Sequence, residues 1–283
     1  MRYEHFAIET EGQKEGKASL HAYLLDAISV APEKKRPAVI VCAGGGYERK
    51  SDRESEPVVL QFLSMGCHGF LMDYSVAPSR FPTAVKELAL AVALVRKHSQ
   101  EWHVDPERIF VCGFSAGGHL ACSLGVFWNR EFLWKSLGKE PEQIRPNGMI
   151  LGYPVISSGP FAHVGSFKRL LGDDALEGAR EGADQPEQER FVSLETQVSP
   201  DTPKTFLWHT FADSSVPVEN SLKLAEALRR NGVEFEMHIY PKGEHGLSLA
   251  AEETAGERRE MLVSSVQSWI HLAKTWLEGF GNA

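Results

Sequence analysis

Gly113-Phe114-Ser115-Ala116-Gly117 forms a G-x-S-x-G run between a strand-like RIFVC and a helix-like AGGHLACSLG. A serine on a sharp strand-to-helix turn presents its hydroxyl outward. Glycine two residues to each side removes the side chains that would collide there. That is a setting for a nucleophile, although a serine N-capping a glycine-rich helix would use the same residues. A hydroxyl at neutral pH is a poor nucleophile and needs a base. Of eleven histidines, His245 lies in Pro-Lys-Gly-Glu-His-Gly, just after the apolar run 235–240. This is the carboxyl end of a strand, where ligands and catalytic groups gather in open α/β sheets. His119, one turn into the helix after Ser115, and His209, inside a strand-like run, read as structural. Asp213 follows the run 205–210 and could fix the tautomer of an imidazole and stabilise its cation. An aspartate at such a junction also serves as an N-cap or turn residue. Neither alternative explains the order, in which Ser115, Asp213 and His245 each end a separate strand. The chemistry such a set performs is acyl transfer through serine.

A fourth component would be electrostatic. Gly44-Gly45-Gly46-Tyr47 follows the apolar run 38–42. Backbone N–H groups on such a loop can converge on one point, and the missing side chains let a substrate oxygen approach. Together with the amide of Ala116, amides of this loop would stabilise the anion of a tetrahedral intermediate. A phosphate-binding loop also uses glycines after a strand, but neither G-x-G-x-x-G nor G-K-[ST] is present.

These residues need a scaffold that brings distant parts of the chain together. Strand patterns occur at 38–42, 69–74, 108–112, 149–153, 205–210 and 235–240. Several are almost continuously apolar, as parallel strands covered on both faces are. Helical spacing occupies 57–65, 83–98, 116–127 and 218–230, and a last helix is expected over about 257–277. Such alternation predicts an α/β fold with a doubly wound, mostly parallel sheet and helices on both faces. Segments 6–9 and 20–25 could add an antiparallel edge hairpin. Residues 156–203 break the rhythm with many glycines and the acidic run GDDALEGAREGADQPEQE, with short helices expected at 165–171 and 186–195. A long insertion of this kind is a lid or cap, or else a solvated decoration. Convergence of the three candidate residues makes residues 1–283 one domain carrying that insertion.

Composition narrows the partners. The 283 residues carry 30 Lys+Arg and 38 Asp+Glu, a formal net charge of −8. This argues against a nucleic-acid partner held by phosphate neutralisation. No apolar run approaches the ~18 residues that cross a bilayer, so no membrane association is expected. Cys42, Cys67, Cys112 and Cys122 form no C-x-x-C pair, which speaks against zinc. Three of them sit in apolar stretches, as small buried hydrophobes do. With an N-terminus lacking a signal-peptide core, they point to the cytoplasm. Oligomeric state, a homodimer included, is left open.

The segments CAGGGY, DYSVAPSRFPTAVKELALAVALVR, DPERIFVCGFSAGGHLA, TPKTFLWHTFADSSVPVENSLKLAEALRRNGV and YPKGEHGLSL resemble the α/β-hydrolase superfamily over about residues 39–249. Within it the chain is similar to bacterial acetyl-esterase or xylan-esterase-like hydrolases and to esterases related to hormone-sensitive lipase. The latter carry histidine before the three glycines, where this chain has Ala43, which favours the acetyl-esterase-like branch. The resemblance implies Ser115 as nucleophile, His245 as base, Asp213 as its orienting acid, and Gly45, Gly46 and Ala116 as oxyanion-hole amides. It also implies hydrolysis of a short-chain acyl ester, with acetylated sugars among the candidate small-molecule substrates, and no metal or organic cofactor. Tyr47 and Phe114 flank the reacting centre and are candidates to shape the pocket; Phe161 and His163 would reach it if the insertion folds over. A prolyl-oligopeptidase-like serine peptidase and a non-catalytic binding protein on the same fold are the alternative readings.

Overall fold

The apolar runs of the sequence pair into one eight-stranded sheet. The computed structural model describes residues 1–10, 18–176 and 185–280. Its strands are β1 (Arg2–Ile8), β2 (Ala18–Leu24), β3 (Arg36–Cys42), β4 (His68–Asp73), β5 (Val104–Phe114), β6 (Gly148–Gly152), β7 (Lys204–Thr210) and β8 (Phe235–Tyr240). They lie in the order β1-β2-β4-β3-β5-β6-β7-β8. β1 and β2 form the expected antiparallel hairpin, and β2 also pairs antiparallel with β4. From β4 to β8 every pairing is parallel.

Parallel strands need crossovers, and helices supply them. The helices are α1 (Glu56–Ser64), α2 (Thr83–Lys97), α3 (Ala116–Phe127), α4 (Glu131–Trp134), α5 (Pro141–Ile144), α6 (Val164–Leu171), α7 (Glu187–Phe191), α8 (Glu219–Arg230), α9 (Glu252–Ala255) and α10 (Trp269–Gly279). Successive strand residues point to opposite faces, so each central strand feeds two cores. Ile40, Val111 and Leu207 pack with Leu88, Val92, Leu120, Leu124, Leu224 and Leu228 of α2, α3 and α8. Val39, Val41, Phe110, Phe206 and Trp208 pack on the other face with Val58 and Phe62 of α1 and Trp269 and Leu277 of α10. Each such side chain, fully buried, stabilises by about 1.5–3 kcal/mol. This explains the near-continuous apolar runs.

The expected last helix is broken. Two short 3-10 turns, Arg259–Met261 and Val266–Ser268, precede α10. Met261 and Val266 are both fully buried against the second core. Five residues apart, they would point about 140° away from each other on a continuous helix. Breaking the helix lets both reach the same core.

The 156–203 segment contains α6, α7 and the 3-10 turn Leu194–Thr196, with no strand among its described residues. Residues 177–184, the middle of its acidic run, lie outside the described residues. Phe167, Leu170, Val192 and Leu194 join the core made by α2, α3 and α8. The described part is therefore packed structure, not a solvated decoration. The buried amide of Asn220, on α8, fastens its start: Oδ1 accepts from the N–H groups of Ile156 and Ser157 (both 2.9 Å), and Nδ2 donates to the Phe161 carbonyl (2.9 Å). All four cysteines are buried free thiols. Among the described residues no helix is long and apolar enough to cross a membrane.

Candidate active site

Four loops leave the carboxyl ends of β3, β5, β7 and β8 and meet at one point. Ser115 occupies the turn from β5 into α3 with φ 52° and ψ −120°. Such a conformation costs a non-glycine residue of order 1–3 kcal/mol and persists only where its surroundings enforce it. Enforcement here is by backbone. The Ser115 N–H donates to the Gly152 carbonyl (3.1 Å), while its own carbonyl accepts from the N–H groups of His119 (3.1 Å) and Val155 (3.0 Å). The flanking glycines are sterically required. A Cβ at Gly113 would fall 2.1 Å from the Gly117 carbonyl oxygen, and one at Gly117 would fall 2.2 Å from that of Cys42.

The three candidate side chains form a hydrogen-bonded line. His245 Nδ1 lies 2.7 Å from Asp213 Oδ2, and Nε2 lies 2.8 Å from Ser115 Oγ. With the proton on Nδ1 donating to the carboxylate, Nε2 is free to accept from the serine hydroxyl. The other Asp213 oxygen accepts from the N–H groups of Ser215 (3.0 Å) and Val216 (2.9 Å). Burial acts to raise the Asp213 pKa. Hydrogen bonds from His209 and His245, the His245 charge and the Val216 amide outweigh it, holding the carboxyl well below its ordinary value. It is thus a carboxylate whenever the site works near neutrality.

The glycine loop stands opposite. Among the described residues the N–H groups of Gly45 and Gly46 have no hydrogen-bond partner, and Ala116 is the first residue of α3. The N–H groups of a helix's first turn lack intrahelical partners and carry the positive end of its dipole. Gly45, Gly46, Ser115, His163 and His245 share the wall of one cavity of about 730 Å³. This wall has charged and polar side chains around the rim, Glu48, Arg49, Asp52, Arg53, Glu244 and Arg258 among them, and among the described residues no aliphatic or aromatic hydrocarbon side chain.

Of the four residues expected to shape the pocket, one lies in that wall. His163 caps α6, its Nδ1 accepting from the Ser166 N–H (3.2 Å), so the ring proton sits on Nε2. Burial, and after it the charge of His245, push its pKa below the ordinary value. Tyr47 and Phe114 are corrections to the expectation, since both are buried in the cores. Tyr47 bonds His119 Nδ1 (2.9 Å), and Phe114 packs against Tyr153 and Trp269. Phe114 directly precedes Ser115 on an extended strand, so strand alternation turns its ring to the opposite side of the sheet. Phe161 lies outside the cavity wall, its ring under Lys223 Nζ at 5.7 Å.

Three further residues touch the site without having been singled out for it. His209, read as structural, is fully buried. Its Nε2 lies 2.9 Å from the Val216 carbonyl and 3.3 Å from Asp213 Oδ2, so it steadies the carboxylate that faces His245. Its spacing of four residues before Asp213 was the only available signal. The ring of Tyr153 meets that of His245 edge-on at 5.0 Å. Glu54, 3% exposed, accepts the Gly44 N–H (2.8 Å). Its partners lie on other loops, and no local spacing marks it.

Known proteins agree with this architecture. Residues 26–228 match the BD-FAE family, to which the chain belongs. It is 35% identical over 227 residues to endo-1,4-beta-xylanase B of Butyrivibrio fibrisolvens, covering 77% of this chain and 34% of that protein. The chain spans about a third to a half of the length of such curated relatives. Among solved structures it is similar to the acetyl ester-xyloside bifunctional hydrolase from Caldicellulosiruptor lactoaceticus. That match has a TM-score of 0.77 and 40% identity and covers 94% of this chain and 89% of the other. It is also similar to the carboxylesterase Cest-2923 from Lactobacillus plantarum, with a TM-score of 0.84, 27% identity and coverage of 99% and 98%. The sheet order and these neighbours define an α/β-hydrolase fold of the esterase type.

Proposed function

We propose that the protein is a serine carboxylic ester hydrolase that removes short acyl groups, acetyl above all, from hydroxyl-rich alcohols such as sugars. The observation that carries this reading is the line Asp213–His245–Ser115, facing two unpartnered loop amides and a helix N-terminus across one cavity. Ser115 loses its proton to His245 Nε2 and attacks the ester carbonyl. The amides of Gly45, Gly46 and Ala116 receive the developing oxyanion, where one such donor is typically worth about 2.7–4 kcal/mol. The imidazolium, steadied by Asp213, protonates the departing alcohol, and a water activated by His245 then releases the acid.

Substrate class rests on the cavity wall. A long acyl chain needs an apolar trough, and the described residues of this polar and charged wall offer none. A sugar would find hydrogen-bond partners there, with His163 Nε2–H as one donor. The names of two relatives, a xylanase and an acetyl ester-xyloside hydrolase, point the same way. We further propose that residues 156–203 belong to a single domain and serve as a pocket wall, since Asn220 and the core hold their described part in place. In a panel of p-nitrophenyl esters with acetylated xylose and xylobiose, rates should be highest for acetyl and fall steeply beyond butyryl. Ser115→Ala should abolish the activity while leaving the circular dichroism spectrum unchanged. Hydrolysis by that variant at the wild-type rate would remove the serine mechanism, and preference for octanoyl or longer esters would remove the short-chain assignment.

A further inference from the structure

We propose that Glu54 is a positioning residue for the reaction, tying the oxyanion loop to the His245 loop through its two carboxylate oxygens; this rests on the serine esterase reading above. Glu54 closes the 3-10 turn Asp52–Glu54 and is almost fully buried. Its Oε2 accepts the Gly44 N–H (2.8 Å), and its Oε1 accepts the Tyr153 hydroxyl (2.6 Å). The Tyr153 oxygen in turn accepts the Ser248 N–H (2.9 Å), and the Ser248 hydroxyl donates to the Arg53 carbonyl (2.6 Å). The circuit therefore returns to the residue before Glu54. Along the way it engages the residue preceding Gly45 and Gly46 and the residue three after His245. Tyr153 also lays its ring against that of His245.

Chemistry favours a positioning role over simple packing. A buried carboxylate is costly unless its lone pairs are satisfied, and among the described residues this one is held by the Gly44 N–H and the Tyr153 hydroxyl, with no salt bridge to a lysine or arginine side chain. Neutral donors alone hold it. Filling the same space with an apolar or amide side chain would spare the desolvation. The carboxylate instead supplies two short, charge-assisted acceptors aimed at two different loops. A negative group beside a nascent oxyanion opposes it electrostatically. What Glu54 contributes must then be geometry: it occupies the Gly44 amide and fixes the peptide from which the Gly45 and Gly46 amides project. Tyr153 suits this role because burial, and after it the charge of Glu54, raise its pKa well above the ordinary phenol value, keeping it a donor.

The test is Glu54→Gln beside Tyr153→Phe, assayed on p-nitrophenyl acetate. Active protein is counted by stoichiometric labelling with a fluorophosphonate. Glutamine retains the shape and can still accept from Gly44, but its NH2 meets the Tyr153 hydroxyl, whose oxygen already accepts from Ser248. Per active site, kcat should fall by about tenfold or more, a part of what loss of a whole oxyanion donor costs, with KM within about twofold. The fluorophosphonate labelling rate should fall by a similar factor. Tyr153→Phe should show the same kcat-only loss, and the double variant should be little worse than Glu54→Gln alone. An unchanged kcat per labelled site in Glu54→Gln, or in Tyr153→Phe should the former fail to fold, overturns the proposal, as does a KM rise that accounts for the loss. A wild-type protein that neither hydrolyses the ester nor labels overturns the esterase reading instead.

Discussion

His245 and His119 both lie near Ser115 at the carboxyl end of the sheet, and each is the middle member of a hydrogen-bonded line. His245 joins Asp213 to Ser115 at 2.7 and 2.8 Å, with a fifth of its side chain open to the cavity. His119 joins the Val192 carbonyl, 2.9 Å from its Nε2, to the Tyr47 hydroxyl, 2.9 Å from its Nδ1, and has no exposure at all. Since a carbonyl can only accept, Nε2 of His119 carries the proton and Nδ1 accepts from tyrosine. Burial pushes its pKa down to about 4. The same imidazole is a base candidate in one setting and a fixed, neutral strut in the other. The difference lies in what stands behind the ring and what stands in front. A carboxylate can stabilise the imidazolium that a carbonyl leaves unpaired, and a cavity admits a reactant that a packed core excludes.

The largest expected effect breaks the first line from behind. Asp213→Asn should lower kcat by roughly 10³–10⁴-fold, because the amide no longer favours the tautomer that leaves His245 Nε2 free. The fold should survive, as checked by circular dichroism. If the variant kept more than about a tenth of wild-type kcat, the carboxylate would not distinguish the two histidines.

His119→Gln sharpens the contrast from the other side. Its kcat should stay within about threefold of wild type, while urea denaturation at pH 7 should show a stability loss of about 1–3 kcal/mol from broken buried hydrogen bonds. Acid dependence carries a definite sign. Below pH 6.5 an unfolded histidine binds a proton that folded His119 refuses down to about 4, so stability is full above 6.5 and falls as pH drops towards 4. Over that window His119 accounts for about 3 kcal/mol. Glutamine does not titrate, so this part of the slope should vanish. His68, held down to about 4 by burial and then by Arg36, should supply a slope that remains. Equal slopes in wild type and variant between pH 7 and 4.5 would sink the assignment.

The smallest effect is expected of Tyr47→Phe. It removes the donor to His119 Nδ1 and leaves the Ser123 hydroxyl, at 3.5 Å, as the nearest replacement. About 1 kcal/mol of stability should be lost with no change in KM, since the Tyr47 ring is buried and forms no part of the cavity wall. A KM shift beyond about threefold would put Tyr47 back at the substrate.

The sheet and the set Ser115, Asp213, His245 were legible because their signals are local. Each follows an apolar strand run, and the glycines around Ser115 answer a collision within five residues. The break before α10 was not legible, because helical spacing continued through a stretch where the core demanded both Met261 and Val266. Nor was the inward turn of Tyr47 and Phe114. Proximity in sequence to a reacting centre does not say on which face of the sheet a side chain emerges.

By itself, then, the sequence determined which strands form, where the chain turns sharply enough to expose a serine, and which acid and base could serve it. Periodicity and turn sterics act over a few residues and need no knowledge of the rest. Tertiary structure alone decided that His209 braces Asp213, that His163 faces the cavity, and that Glu54 joins loops 10 and 99 residues away. Those contacts link segments that only the packed sheet brings together. A buried polar group takes whatever partner the fold places within 3 Å, and no spacing along the chain records that choice.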